Sequence, residues 1–158
     1  MEEYAATKLR LFTGLSYARR KKGIKKVSVV NMDDSWSAPF LQATVDTLFT
    51  FGNSPSAQIR ALDVSNTDTG MKFTIKMPSQ TFEVRTDMIG NFNVSNILAA
   101  IGVLISQRVD PETISLAVAQ FGRVAGRMEE ISTNREARIF VDYAHTEESL
   151  KQVLLTLQ

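Results

Sequence analysis

Hydrophobic positions along the chain switch from helical spacing to strand spacing within the first third. Residues 2–20 repeat apolar side chains with the period of a helix, and residues 25–30 form a short β-branched run typical of a strand. Residues 35–50 predict a second helix, in which Pro39 must occupy the first turn or break the helix. The chain is therefore expected to begin with a helix, a strand and a helix.

Three strand-like runs occupy the middle of the chain. Strands are predicted over residues 58–64, 71–76 and 82–85, and the middle run alternates polar with apolar side chains. Residues 66–70 have the composition of a hairpin turn. These runs predict a β-rich insertion between helical segments.

The last third returns to helical spacing, with one further pair of strands. The predicted elements are helices over residues 92–107 and 111–121, strands over 128–132 and 137–141 around a turn at 133–136, and a helix over 146–157. The whole order predicts a mixed α/β layer and not a regular βαβ chain.

Composition excludes several classes of protein. The 158 residues fit one domain or parts of two, and the net charge of +1 gives no bulk attraction to nucleic acid or acidic membranes. The absence of cysteine excludes a disulfide scaffold and a thiol nucleophile. No apolar run reaches the roughly 18 residues that span a bilayer. The basic run at residues 19–26 is interpreted as a helix C-terminus and its loop. We therefore expect a cytoplasmic protein without nucleic-acid or membrane partners.

Two predicted strands end in acidic residues. The last one leads into Asp142, followed by His145, the chain's only histidine, and by Thr146, a good helix N-cap. Ligands in α/β proteins collect at such strand ends, where a carboxylate could hold ribose hydroxyls, a metal or a proton. His145 is either structural or catalytic, and no nucleophile is paired with it in the sequence. Asp33 and Asp34 end the other strand, where a loop is favoured over a magnesium site.

Lys8 interrupts an apolar helix face. Tyr4, Leu11, Phe12 and Leu15 share that face on a helical wheel, and Lys8 falls in its middle. The side chain either extends its ammonium group into water or stays buried as a partly neutral amine. A buried amine can react with carbon dioxide to form a carbamate, and this anion can bind a hard cation such as Mg²⁺.

Two asparagines and an arginine could bind a ligand. Asn93 fits a helix N-cap, whereas capping does not explain Asn96, where Glu or Gln would complete a capping box. Two carboxamides can instead pair with the edge of a purine. Arg127 could form a surface ion pair with Glu129 or Glu130, or present its planar guanidinium group to a phosphate.

The order of these motifs resembles that of the Mur ligases of peptidoglycan synthesis, which are ATP-dependent amide-forming enzymes. The matching segments lie at residues 1–8, 31–34, 90–96, 126–129 and 142–146. Their phenylalanine–asparagine pair is similar to that of the branch that adds the third amino acid to UDP-N-acetylmuramoyl-L-alanyl-D-glutamate. Their aspartate–tyrosine–alanine–histidine run speaks against the related folylpolyglutamate synthetases.

The resemblance implies that the chain is a fragment of a longer protein. Residues 1–124 would be the second half of the central ATP-binding domain, a mixed sheet with flanking helices and a β-rich insertion. Residues 125–158 would be the first strands and helix of the Rossmann-like C-terminal domain. The family's phosphate-binding glycine-rich loop has no counterpart in these 158 residues, and Met1 matches an internal family position. The fragment alone is therefore expected to be inactive.

The resemblance also implies ATP and Mg²⁺ as cofactors and assigns roles to six residues. Lys8 matches the lysine that is carbamylated in the family and helps to hold Mg²⁺. The positions implied at the nucleotide are Asn93 and Asn96 facing adenine, Arg127 and Asp142 at the hinge between domains, and His145 in the same motif.

The activity implied is ligation through an acyl phosphate. The substrates would be the UDP-N-acetylmuramoyl dipeptide and an amino acid, with meso-diaminopimelate favoured over L-lysine. The competing hypothesis is a free-standing, non-catalytic nucleotide-binding or interaction module.

Overall fold

The computed structural model describes residues 2–67, 69–122, 124–131 and 138–157. Both helices and strands occur throughout the chain, and the expected mixed α/β architecture is confirmed. The elements are α1 (Glu2–Tyr17), β1 (Val27–Asn31), α2 (Ser37–Leu41), β2 (Thr47–Phe51), β3 (Arg60–Asn66), β4 (Met71–Lys76), β5 (Thr81–Thr86), α3 (Asn91–Ser106), α4 (Pro111–Gln120), β6 (Glu129–Ile131), β7 (Ile139–Val141) and α5 (Glu147–Thr156).

Strands β1 and β2 form a parallel pair, which corrects the helix predicted over residues 35–50. Only α2, the five residues around Pro39, is helical in that range. Residues 47–51 are two threonines, one leucine and two phenylalanines, and β-branched and aromatic side chains suit a pleated, partly buried strand. Pairing with β1 therefore decides the conformation of a run whose spacing alone was ambiguous.

Strands β3, β4 and β5 form an antiparallel sheet, as the insertion predicted. The first hairpin closes through a hydrogen bond of 2.8 Å from the Thr67 backbone N–H to the Gly70 carbonyl. Met71, Phe73 and Ile75 of β4 are each about 1% exposed or less, while the alternating residues face outward. A parallel bridge between Phe51 and Ile59 joins this sheet to the β1–β2 pair.

The core lies between the strands and the inner face of α3, with α4 closing one side. Its buried members are Phe51, Ile59, Ala61, Met71, Phe73, Ile75, Met77, Val84, Val94, Ile97, Leu98, Ile101 and Ile114. Gly102 lets α3 approach β1 closely, because a Cβ at this position would lie 2.6 Å from a Val29 methyl carbon. The core thus holds the beginning of α3 at a fixed place above the sheet.

Residues after α4 form a separate strand pair and a helix. Strands β6 and β7 are antiparallel, and the predicted turn at 133–136 lies outside the described residues. Thr146 caps α5 as predicted. Its hydroxyl accepts a hydrogen bond from the Ser149 N–H at 3.3 Å, and the Ser149 hydroxyl accepts one from the Thr146 N–H at 3.0 Å.

The basic run after α1 serves the end of that helix, as interpreted from the sequence. Lys26 Nζ donates hydrogen bonds to the carbonyls of Ser16, at 3.3 Å, and Ala18, at 2.8 Å. Arg20 forms an ion pair of 2.9 Å with Asp46. Within the described part of the chain, no helix combines the length and apolar character needed to cross a membrane.

Candidate functional site

A cleft of about 960 Å³ separates α3 and α4 from the segment that begins after α4. Its walls come from the β5–α3 connection, from the exposed sides of α3 and α4, and from the stretch between β7 and the middle of α5. Five of the six residues singled out in the sequence line this cleft: Asn93, Asn96, Arg127, Asp142 and His145. Residues that lie up to 52 positions apart along the chain (145 − 93) are therefore brought to one place.

Asn93 holds Asn96 in place, and the N-cap assigned to Asn93 is wrong. Gly90, with φ of 90°, is the N-cap, so Asn93 is the third residue of the helix. The Asn93 side chain is buried, with 8% of the residue exposed. Its Nδ2 donates a hydrogen bond to the Ile89 carbonyl at 2.9 Å, and its Oδ1 accepts one from Asn96 Nδ2 at 3.2 Å. The Asn96 carboxamide oxygen accepts no hydrogen bond from the described residues, so it is available to a ligand in the cleft.

Asp142 joins two backbone turns. One carboxylate oxygen accepts a hydrogen bond from the Met128 N–H at 2.8 Å, and the other accepts one from the Ala144 N–H at 2.7 Å. Met128 has φ of 49°, a left-handed conformation that a side chain disfavours and that this contact helps to hold. Asp142 therefore shapes the cleft wall through the backbone on both sides of the β6–β7 pair.

Arg127 forms no ion pair with Glu129 or Glu130, so the surface-pair interpretation is wrong. The Glu129 carboxylate accepts the Gly126 N–H at 2.7 Å. Glu130 instead pairs with Arg138, with both guanidinium contacts at 3.0 Å or less, and this pairing raises the pKa of Arg138. The Arg127 guanidinium is left without a carboxylate among the described residues.

The Arg127 guanidinium contacts an aromatic ring, which in turn packs against the His145 ring. Its guanidinium carbon lies 5.2 Å from the centre of the Tyr143 ring, and the His145 ring meets Tyr143 edge-on at 4.8 Å. His145 Nδ1 lies 2.8 Å from the Tyr143 carbonyl oxygen. Because a carbonyl only accepts, Nδ1 carries the proton in this contact and Nε2 is left as an acceptor in the neutral ring. No serine or threonine hydroxyl is hydrogen-bonded to His145 in the parts of the chain described, which favours a structural role.

The apolar part of the cleft was missed from the sequence. Its large apolar lining residues include Met88, Phe92, Ile97, Leu104, Val118, Phe121 and Val124. Phe121 and Val124 remain 55% and 43% exposed, which is unusual for such side chains near a domain core. A helical wheel marks the α3 members as a buried face, and only tertiary structure shows that the face continues into an open cleft.

Lys8 lies away from the cleft, on the exposed surface of α1. Its Nζ is 4.4 Å from the centre of the Tyr4 ring, and both side chains are exposed. The apolar face around Lys8 is only partly covered: Leu11 is 73% exposed, whereas Phe12 packs edge-on against Phe40 at 4.9 Å. In this chain the ammonium group reaches water, as the first of the two alternatives predicted.

A preformed magnesium site is not seen among the described residues. No group of three or more His, Cys, Asp or Glu side chains is close enough to hold an ion in that part of the chain. Asp33 is occupied by the backbone N–H groups of Asn53, at 2.7 Å, and Ser54, at 3.0 Å, while Asp34 accepts the Trp36 N–H at 2.8 Å. The loop interpretation of this acidic pair is therefore confirmed.

Known proteins match both the sequence and the fold. A chain of a solved UDP-N-acetylmuramoyl-L-alanyl-D-glutamate–2,6-diaminopimelate ligase superposes with a TM-score of 0.77 and 29% identity, over 99% of this chain and 31% of that one. The UDP-N-acetylmuramoylalanyl-D-glutamyl-2,6-diaminopimelate–D-alanyl-D-alanyl ligase from Acinetobacter baumannii superposes with a TM-score of 0.80 and 20% identity. The match covers 97% of this chain and 32% of that one, and supports the fold alone.

Curated relatives match along almost the whole chain. The UDP-N-acetylmuramyl-tripeptide synthetase 2 of Oceanobacillus iheyensis is 32% identical over 99% of this chain, and the 2,6-diaminopimelate ligase of Bacillus cereus is 35% identical over 99%. The chain spans about a third of the length of these relatives, 32% of each. A family model described as the Mur ligase middle domain matches residues 1–104, well over half of the sequence. The chain therefore belongs to the Mur ligase family.

Proposed function

We propose that the chain is part of an ATP-dependent ligase that adds meso-diaminopimelate to UDP-N-acetylmuramoyl-L-alanyl-D-glutamate in peptidoglycan synthesis. The carrying observation is that Asn93, Asn96, Arg127, Asp142 and His145 line one cleft. The relatives whose names carry this activity support the choice of substrate. Residues 1–124 would belong to the central domain and residues 125–158 to the C-terminal ligase domain.

The cleft suits an adenine nucleotide because its lining combines apolar side chains with carboxamide and guanidinium groups. The apolar side chains can pack against a planar base, and the Asn96 oxygen, which no described residue donates to, can accept a hydrogen bond from an exocyclic amine. Arg127 contributes a cation that no described carboxylate neutralises. The base would then lie against α3, and the phosphates would extend toward the Arg127 side.

ATP would activate the D-glutamate side-chain carboxylate as an acyl phosphate, which the amine of the third amino acid attacks with loss of phosphate. In this scheme the described residues bind and orient the nucleotide, and reactive groups must align to within about 3–3.5 Å for transfer. Mg²⁺ would neutralise charge on the transferred phosphoryl group. Lys8 is proposed as a metal-serving residue only through its motif, and its ligating partners would have to come from outside the described residues.

The decisive experiment is an activity assay on the longest open reading frame that contains this chain. Release of ADP should require both the UDP-N-acetylmuramoyl dipeptide and meso-diaminopimelate, and L-lysine should replace the latter poorly. Arg127→Ala should slow the reaction, while Arg19→Ala, at an exposed arginine far from the cleft, should leave it unchanged. A reading frame that ends at Gln158 and binds ATP without turnover would support a non-catalytic module instead.

Lys8 has its own test in the longer protein. Lys8→Ala should abolish activity, and short-chain carboxylates should restore part of it by replacing the carbamate. Full activity of Lys8→Ala without any added carboxylate would remove Lys8 from the mechanism.

A further inference from the structure

Among the described residues no carboxylate pairs with Arg127, and the acidic side chains described near it in sequence bind other groups. Asp142 binds two backbone N–H groups, Glu129 binds the N–H of Gly126, and Glu130 is bound to Arg138. These three carboxylates, all C-terminal to Arg127 and at most 15 positions from it (142 − 127), therefore bind groups other than its guanidinium. An arginine surrounded by this much acidic sequence would otherwise be expected to form a surface ion pair.

Tyr143 is the side chain that contacts the Arg127 guanidinium. The ring lies 5.2 Å from the guanidinium carbon, within the range of a cation–π contact, and both residues line the cleft. The edge of the His145 ring packs on Tyr143, and the hydrogen bond from His145 Nδ1 to the Tyr143 carbonyl restrains the same segment. A ring face attracts the cation without neutralising its charge, so all five N–H donors stay available to an anion.

We propose that Tyr143 is a positioning residue that holds Arg127 as an un-neutralised cation facing the cleft, for the phosphate chain of the bound ligand. This inference rests on the proposed nucleotide function and adds a residue to it. The aromatic ring is the active feature, and the phenolic hydroxyl, which has no hydrogen-bond partner in the described structure, is not required.

The test measures binding of inorganic tripolyphosphate and of ATP to the 158-residue chain by calorimetry at low ionic strength. Tyr143→Leu should weaken tripolyphosphate binding by about 2–5-fold, the range of an exposed cation–π contact. Tyr143→Phe should bind like the unmodified chain. Tyr17→Leu is the matched control, because Tyr17 is 89% exposed and does not line the cleft.

A double-mutant cycle separates positioning from general destabilisation. In an Arg127→Ala background, Tyr143→Leu should have no further effect, because no guanidinium remains to be held. Proton NMR supplies a direct readout, since the Arg127 side-chain N–H should shift upfield under the Tyr143 ring and lose that shift in Tyr143→Leu but not in Tyr143→Phe.

The proposal is overturned if the effects of Tyr143→Leu and Arg127→Ala on tripolyphosphate binding are additive, or if Tyr143→Leu and Tyr143→Phe lose equal affinity. It is also overturned if the Arg127 N–H signal shows no ring-induced shift, or if the chain does not bind tripolyphosphate. A further outcome is that ATP binds no more tightly than tripolyphosphate while the double-mutant cycle of Tyr143 and Arg127 gives the expected result. That outcome would contradict the nucleotide function alone, and the positioning role of Tyr143 would stand.

Discussion

Several polar side chains at the cleft form hydrogen bonds with other groups of the protein. Asn93 and Asp142 bind backbone groups next to the cleft, and each fixes a neighbour that faces the ligand space: Asn96 in one case, the turn that carries Arg127 in the other. The contact residues are thus held in position before a ligand arrives, which lowers the entropy lost on binding.

Asp142→Asn should destabilise the chain by about 1–2 kcal/mol. The single carbonyl oxygen of asparagine can accept a hydrogen bond from only one of the two backbone N–H groups, those of Met128 and Ala144. The asparagine NH₂ group would face the other N–H, which would lose its acceptor. Urea unfolding followed by circular dichroism measures the change.

Asp63→Asn is the control for that substitution, because Asp63 is exposed and its side chain forms no hydrogen bond with another described residue. Its φ of 55° is one that asparagine tolerates well, so no loss of stability is expected. Equal stability of Asp142→Asn and the unmodified chain would show that the Asp142 contacts contribute nothing net.

Individual helices and strands were predictable where the spacing of apolar residues agreed with the capping or turn residues at the ends of the element. The α5 helix combines a threonine cap with acidic residues in its first turn, and β4 alternates strictly, so both were found from the sequence. Strand β2 was missed because its five residues follow a proline-containing helical turn without a glycine between them. Its conformation depends on pairing with β1, a contact 20 residues distant in sequence (47 − 27).

Packing of α3 against β1 predicts opposite effects for two helix glycines. Gly102→Ala places a methyl group 2.6 Å from a stiff Val29 side chain, so overpacking should outweigh the gain in helix propensity and cost about 1–2 kcal/mol net. Gly14→Ala, in α1 with nothing within 4 Å of the new Cβ, should stabilise by about 0.5–1 kcal/mol. Denaturant unfolding of both variants provides the comparison, and a stabilising Gly102→Ala would contradict the close approach of α3 to β1.

Helix α4 should weaken in acid because of its N-cap. Asp110 accepts hydrogen bonds from the backbone N–H of Thr113, at 2.9 Å, and from the Thr113 hydroxyl, at 2.7 Å, and these bonds lower the pKa of the carboxyl group from 3.8. The unfolded chain therefore binds the proton more readily. The stabilisation is complete above the unfolded pKa and is lost as the pH falls through the folded one.

Asp110→Asn isolates this effect, since asparagine keeps the capping acceptor but does not titrate. Thermal unfolding between pH 6 and pH 3 should show a smaller acid loss for the variant than for the unmodified chain. The remaining loss should come from Asp46 and Glu83, whose pKa values are also lowered, by hydrogen bonds from Lys26 and from Lys72 respectively. Identical pH profiles would exclude a contribution from the cap.

At the scale of the whole chain, the polar half of the cleft could be predicted and the apolar half could not. The order of the motifs in the sequence predicts that Asn96, Arg127 and Asp142 act together, because polar side chains at turns and strand ends lack a simple packing explanation. Phe121 and Val124 gave no such signal, since apolar residues at a helix end are equally expected in a core. Their exposure depends on how the two sides of the cleft face each other, and local spacing carries no information on that.

A ligand that contacts both sides of the cleft should stabilise the chain as one unit. ATP at about ten times its dissociation constant should add about 1.4 kcal/mol to the free energy of unfolding, by mass action alone, without release of phosphate. Differential scanning fluorimetry would show a midpoint that rises with ATP concentration. GTP should give a smaller rise, because its six-position carries an acceptor where adenine offers the amine that Asn96 can bind.

Substitutions on opposite sides of the cleft show whether both sides take part in that stabilisation. Asn96→Ala, on α3, and Arg127→Ala, before β6, should each reduce the ATP-dependent rise, measured against the midpoint of the same variant without ATP. This reference is needed because Asn96→Ala also removes the donor to the buried Asn93 oxygen and lowers the midpoint of the free chain. If only Asn96→Ala reduced the rise, ATP would bind to the α3 side alone, and the segment from Arg127 to His145 would be no part of the nucleotide site. Loss of the rise in both variants requires a ligand that spans the cleft, because the two residues lie on separate walls.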